Sequence, residues 1–298
     1  MKASARIVAE ADAQGGTRLA VLRGEAPLLL RRTGPRAGAG SVTVHLVGGA
    51  AGPLPGDELR LDVEVGPGAQ LDVRSVAASL ALPGRPGTAA SRLEVHASVA
   101  AGGKLRWLPE PLIAAAGCRH LARTDVRVAA GGTLVWRDDL VCGRHGEPSG
   151  SVRTDVTIRY ADATLYRHEL AVGPGAPGWS GAAVLGSSPA HLGDTAGAVG
   201  EATGAGGATG AGGDFLASGL GGGGRAVGSV IFAGADLPAA GLLGGDAAIM
   251  PLAGPGLLAM AIGADIREVR AALDPLVTSA ADRTGDPSRL LATTAAAG

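Results

Sequence analysis

The sequence predicts a mainly β protein of stacked strand–turn–strand layers, solenoid- or sandwich-like, with one or two helices near the C-terminus. Three observations carry that expectation. Leu61-Asp62-Val63-Glu64-Val65 recurs as Leu93-Glu94-Val95-His96-Ala97, then Thr124-Asp125-Val126-Arg127-Val128, then Thr154-Asp155-Val156-Thr157-Ile158, at intervals of about 30 residues. Each copy alternates polar and apolar side chains, the period of a strand with one buried face. A turn cluster follows each copy: Gly66-Pro67-Gly68, Ala101-Gly102-Gly103, Ala130-Gly131-Gly132 and Ala161-Asp162-Ala163. A second alternating run then begins, as in Leu105-Arg106-Trp107-Leu108 and Leu134-Val135-Trp136. One such unit cannot bury its apolar face alone, so neighbours must stack. Evenly spaced strands of an ordinary sandwich are the alternative arrangement.

The rest of the chain completes this picture. Residues 1–192 form the repeated β-layer region, and residues 193–224 form an insertion in which 14 of 32 residues are Gly. So little apolar surface cannot offset the entropy of ordering, which predicts a flexible segment. Residues 225–298 complete the same domain. Val227 to Ala233 reads as a strand, and Gly256 to Ile262 as another. Asp265 to Leu273 has helical spacing, with Ile266, Val269 and Leu273 on one face and Pro275 as its stop. Thr293 to Gly298 reads as a frayed end.

Composition narrows the function classes. The 298 residues carry a formal net charge of −1, with no basic stripe to hold nucleic acid or an acidic membrane. Gly and Pro make up nearly a quarter of the chain, yet 46% hydrophobic content is too high for disorder throughout. Only seven residues are aromatic, so Val, Leu and Ala must build the core. Two cysteines do not make a disulfide framework at this length. The first 16 residues lack an apolar leader, and Ala239 to Ala264 is interrupted by Asp246, Pro251 and Pro255. These features predict a soluble, cytoplasmic protein.

Most catalytic signatures are missing. There is no phosphate loop with its lysine, no nucleophile elbow and no zinc helix of the HExxH type. The GxGxxG match at Gly219–Gly224 lies in a glycine run and precedes a strand, so it carries no weight. Cys118 and His120, with Cys142 and His145, offer two thiolates and two imidazoles to a zinc or nickel ion, although at no standard spacing. The plainer reading is two buried cysteines behaving as small hydrophobes, with two loop histidines. Asp57, Asp138, Asp139 and Glu169 lie near strand edges, where a carboxylate suits a cation or a wet passage but is most often a solvated face. In Trp107-Leu108-Pro109-Glu110-Pro111-Leu112-Ile113, two prolines fix an extended segment that cannot pair as an inner strand. Trp107 and Glu110 there are a core edge or a partner-docking rim.

Several stretches, taken together and in order, resemble the urease accessory protein UreD (UreH) family. They are Gly48-Gly49 with Pro55-Gly56-Asp57-Glu58-Leu59, Val63 to Gly68, Trp107 to Ile113, Trp136-Arg137-Asp138-Asp139-Leu140 with Gly143-Arg144, and Pro251-Leu252 with Gly254-Pro255-Gly256. The sequence departs from that family at Leu80-Ala81-Leu82 and in its shortened Pro287-Ser288-Arg289-Leu290-Leu291 ending. The resemblance implies a non-enzymatic scaffold that joins UreF and UreG to the urease apoprotein while nickel is delivered. It also implies an internal nickel passage whose matching polar positions are Asp57, Ser79, Asp138 and Glu169. Nickel would be handled transiently, with no tightly bound cofactor. A passing Ni²⁺ is better served by carboxylate, hydroxyl and water than by a closed thiolate cage, because tight binding would prevent release. Two other readings stand beside this one: a β-fold hydrolase using paired carboxylates such as Asp138 and Glu169, and a purely structural repeat protein.

Overall fold

The computed structural model describes residues 1–34, 40–179, 224–235, 237–244 and 246–283. The expected glycine-rich insertion, Gly224 apart, and the last six residues lie outside these. The first half of the chain supplies β1 (Lys2–Ala11), β2 (Thr17–Gly24), β3 (Leu28–Thr33), β4 (Ser41–Gly48), β5 (Glu58–Val65), β6 (Gln70–Ser75), β7 (Ser79–Ala81), β8 (Ser91–Val99) and β9 (Lys104–Leu108). Then follow β10 (Leu112–Ala114), β11 (Arg119–Val128), β12 (Thr133–Cys142), β13 (Ser151–Tyr160) and β14 (Ala163–Val172). After the insertion come β15 (Ala226–Ala233), β16 (Gly241–Leu242), β17 (Ala247–Pro251), β18 (Gly256–Gly263) and the helix α1 (Ile266–Arg283).

These strands make two sheets. The first runs β14-β13-β11-β8-β5-β1-β2, and the second runs β16-β17-β18-β15-β12-β9-β6-β4-β3, with β10 joined to β12 and β7. Between β4 and β13 the chain crosses repeatedly from one sheet to the other, so each coil adds to both. Neighbours within a sheet are therefore parallel without helical crossovers: β5, β8, β11 and β13 in the first, β4, β6, β9 and β12 in the second. This is the solenoid-like stacking that the repeat predicts.

The lateral register differs from the simplest alignment of the repeats. Leu61 sits beside Val95, Val95 beside Thr124 and Thr124 beside Val156, so copies slide by two residues against the sequence match. An even slide leaves every side chain on its expected face. The apolar set therefore still points between the sheets, where Ile7, Leu61, Leu71, Leu105, Leu134 and Ile158 are fully buried.

The C-terminal elements obey a different pattern. All of β18 is buried, with Leu258, Met260 and Ile262 facing the main core and Leu257, Ala259 and Ala261 facing α1. A strand covered on both faces reads as a continuous apolar run, not an alternating one. The helix begins at Asp265, whose Oδ1 accepts the Arg267 and Glu268 amides at 2.8 and 3.2 Å. It does not stop at Pro275 as the sequence suggests, but continues to Arg283. Val277 extends the buried face of Val269 and Leu273, and Pro275 stands on the exposed side, where water can serve the carbonyl left without an amide. Gly228 makes this docking possible: a Cβ there would lie 2.4 Å from Val269 Cγ1 and 3.1 Å from Leu273 Cδ1.

Candidate functional site

A chamber of about 470 Å³ lies between the sheets. It forms where the coil's connections are long. The turns Gly66–Gly68, Ala101–Gly103 and Ala130–Gly132 are tight, and Gly68, Gly102 and Gly131 adopt φ of 71°, 71° and 80°, which favours glycine. The opposite ends of the strands are joined by longer segments, and there the apolar rungs do not meet. Chamber walls come from Leu61, Val95, Thr124 and Val156 on the first sheet and from Trp107, Trp136 and Asp138 on the second.

Asp57, Ser79 and Asp138, three of the four positions that match the family's passage, line this chamber. Asp57 is buried in the turn before β5, its Oδ2 accepting the Leu54 amide at 2.9 Å and its Oδ1 the Met1 amino group at 2.8 Å. Ser79 opens β7 and its amide donates to the Pro111 carbonyl at 2.9 Å. Asp138 follows Trp136 on the inner face of β12, and Trp136 Nε1 donates to its Oδ2 at 2.8 Å. Whatever exposure Asp138 keeps is to the chamber. Burial pushes its carboxyl up to about 6, against the lowering effect of the Trp136 bond and with Asp139 adding to the rise.

Glu169 is a correction. It points away from the chamber, is paired with Arg153 at 2.7 Å and is about half exposed. Unbroken pairing outward from the Tyr160–Ala163 pair would set Glu169 opposite Thr154, which faces the chamber. Instead the register shifts after Ile158, so that Ile158 meets Tyr166 and Asp155 meets Glu169. The extra residue, Leu165, inverts the phase of β14 and brings Tyr166, His168 and Leu170 into the wall in its place. Asp138 and Glu169 therefore do not face each other, and the paired-carboxylate hydrolase lacks its pair.

The Cys/His set does not assemble either. Among the described residues no three His, Cys, Asp or Glu side chains cluster as a metal site would require. Cys118 and Cys142 are buried, and burial raises both thiols to about 11, away from the thiolate a metal needs. His145 lies in the exposed turn after β12. His120 is not a loop residue but the second residue of β11, in phase with Thr124, and it forms part of the chamber wall. Ser91 donates its hydroxyl to the Arg119 carbonyl at 3.2 Å, so the 2.9 Å contact between Ser91 Oγ and His120 Nδ1 has the imidazole as donor. That leaves Nε2 with a lone pair and no partner. Burial lowers His120 to about 4, and it lowers His168 as well, so both imidazoles are neutral at neutral pH.

Sequence reasoning missed His168, and it named His120 only as a loop residue of the Cys/His set. Their signal was alternation: His168 is in phase with Tyr166 and Leu170, and His120 with Ala122 and Thr124. Trp107 is a core residue, stacked on Trp136 at 4.8 Å with the rings 8° from parallel. Glu110 lies outside that core, and its carboxylate accepts from Arg270 of α1 at 2.8 Å.

The architecture defines a class, a two-sheet coil of parallel strands that encloses a mostly apolar chamber into which a few carboxylates, hydroxyls and neutral imidazoles are set. The family is fixed by comparison with known proteins. The chain matches the family described as UreD urease accessory protein over residues 1–294, and it belongs to that family. It is 38% identical to the urease accessory protein UreD of Frankia alni, over 96% of this chain and 94% of that one. Against urease accessory protein UreD 3 of Streptomyces griseus the identity is 40%, covering 92% and 95% of the two chains. Against UreD of Streptomyces coelicolor it is 37%, covering 94% and 96%. Membership indicates a role in urease maturation. Among the described residues no helix is long and apolar enough to cross a membrane.

Proposed function

We propose that this chain is a cytoplasmic scaffold that joins UreF and UreG to the urease apoprotein. In this reading it assists nickel on its way to the urease active site and catalyses nothing itself. Nickel is cargo, handled transiently, with no resident cofactor. The observation that supports the reading is that Asp57, Ser79 and Asp138, distant in sequence, line one chamber. Such donors bind a borderline cation weakly enough to let it go.

The test is co-purification with UreF, UreG and apo-urease, followed by the nickel content of the urease produced. Asp138→Asn is expected to keep the complex and lower nickel per urease, since it removes a charge at nearly constant volume. Glu169→Ala, outside the chamber, is expected to change neither. Full nickel loading with Asp138→Asn, or failure of the parent to form the complex, would sink the proposal.

A further inference from the structure

The second sheet is broken where the chamber meets it. On its β9/β10 side, β12 pairs with β9 from Thr133 to Trp136 and with β10 from Leu140 to Cys142, which leaves Arg137, Asp138 and Asp139 unpaired along that edge. The cause is Pro109-Glu110-Pro111, which separates β9 from β10 and cannot continue a ladder. At this gap the chamber wall includes Asp138, from the inner face of the sheet, together with Glu110 and Asp139, which meet the helix on the outer face. The chamber's lining therefore extends to the gap, which is closed on its outer face.

One side chain stands over the opening. Arg270 of α1 donates through Nη1 to Glu110 Oε2 at 2.8 Å and through Nε to Asp139 Oδ2 at 3.2 Å, one carboxylate on each side of the gap. The Asp139 side chain is fully buried, yet its Oδ1 has no hydrogen-bond partner. That oxygen packs against the bare backbone of Gly228, where a Cβ would lie only 2.7 Å away, and neither a donor nor solvent reaches it. Arg137, its Nε 3.9 Å from Oδ2, offsets part of the charge but makes no hydrogen bond to Oδ1, and a buried carboxylate oxygen without a donor remains costly.

We infer that this gap is a cation port and that Arg270 is its plug, a guanidinium holding the two carboxylates that a passing divalent cation would need. Guanidinium and cation compete for the same oxygens, so passage requires Arg270 to leave. This rests on the reading of the chamber as a cation route, and it adds the place of passage and the group that closes it.

The test uses the full chain carrying Thr124→Cys, a thiol on the chamber wall, and follows its modification by cationic 2-aminoethyl methanethiosulfonate and by neutral methyl methanethiosulfonate. Rates in the parent, with only buried Cys118 and Cys142, supply the background. Arg270→Met is expected to speed cationic labelling about tenfold or more, the effect of losing a pairing worth ~1.4 kcal/mol on an opening equilibrium, and to speed neutral labelling less. Adding Glu110→Gln should erase the cationic preference. Arg106→Met is the control, because Arg106 bridges Asp72 and the Val277 carbonyl, so it too ties the same helix to a carboxylate of the second sheet but away from the port. It is expected to leave the rate within about twofold. An unchanged rate with Arg270→Met, or an equal rise with Arg106→Met, overturns the plug. Equal gains for the two reagents overturn the cation preference. The assay contains no urease, so it can fail while the nickel-loading test succeeds, and the reverse.

Discussion

The two ends of the coil are made from the same strands and yet are opposites. Toward the tight glycine turns, β11 offers Val126 and Val128, β12 offers Leu134, β9 offers Leu105 and β13 offers Ile158, each buried and none in the chamber wall. Toward the long connections, the same strands offer His120 and Thr124, Asp138, Trp107 and Thr154, all in the wall. The stacked Trp107–Trp136 pair sits at the boundary. Short turns hold the sheets to a spacing that methyl groups fill, whereas long connections leave volume, and polar side chains can live beside volume that water can enter. A repeat protein thus acquires a chamber without changing its repeat.

The largest effect expected from this contrast comes from one substitution made at both ends of β12. Leu134→Ala at the filled end should lower unfolding stability by about 2–5 kcal/mol, because neighbours packed on every side cannot close the hole. Leu140→Ala at the hollow end removes the same atoms beside existing space, and is expected near the bottom of that range, about 2 kcal/mol. Urea unfolding of the two variants measures the difference. Equal losses would mean that the chamber is packed as tightly as the rest.

Next in size is a pH effect confined to the hollow end. Asp138 stands at about 6 against an ordinary 3.8, so between those values the folded chain keeps a proton that the unfolded chain has released. Stability from this group therefore falls as pH rises through that window, by on the order of 3 kcal/mol. His120 stands at about 4 against 6.5, so here the unfolded chain holds the extra proton, and stability is lost as pH falls from 6.5 to 4. Its size is also on the order of 3 kcal/mol, with the opposite sign. The two largely cancel in the parent. Asp138→Asn should uncover a curve that rises from pH 4 to 6.5, and His120→Asn one that falls from pH 4 to 6. Urea midpoints against pH read both directly, and superimposable curves would show that neither group is desolvated as the fold implies.

How much of this was legible in the sequence depends on whether local pattern or distant contact decides the matter. The faces of the repeated strands were legible, because an error of two residues in register leaves alternation intact. The buried Trp107 and the break at Pro109-Glu110-Pro111 were legible too, since proline cannot extend a ladder. Glu169 was misplaced because one bulge at Leu165 reverses the phase of everything after it, and Thr164-Leu165-Tyr166 carries no glycine to announce a bulge. Pro275 was read as a stop because propensity argues locally, whereas Val277 holds the helix against the second sheet from outside. Nothing local links Arg270 to Glu110 and Asp139, which lie more than a hundred residues away.

The smallest effect is the sharpest, since it exchanges the same two residue types in both directions within β11. Thr124 and Val126 share a face, Thr124 beside Val95 and Val156 at the hollow end, Val126 beside Ala97 and Ile158 at the filled end. Thr124→Val removes a hydroxyl that the chamber can hydrate and adds a methyl that it can hold, so the change should stay within about 1 kcal/mol of zero. Val126→Thr places a hydroxyl at a position with no exposure, among side chains that offer no partner, and should cost about 1–3 kcal/mol. Both variants keep volume and branching, so packing differs little between them, and the gap in unfolding free energy reports hydration alone. If the two swaps cost the same, the chamber holds no water at Thr124, and the hollow end is hollow only in shape.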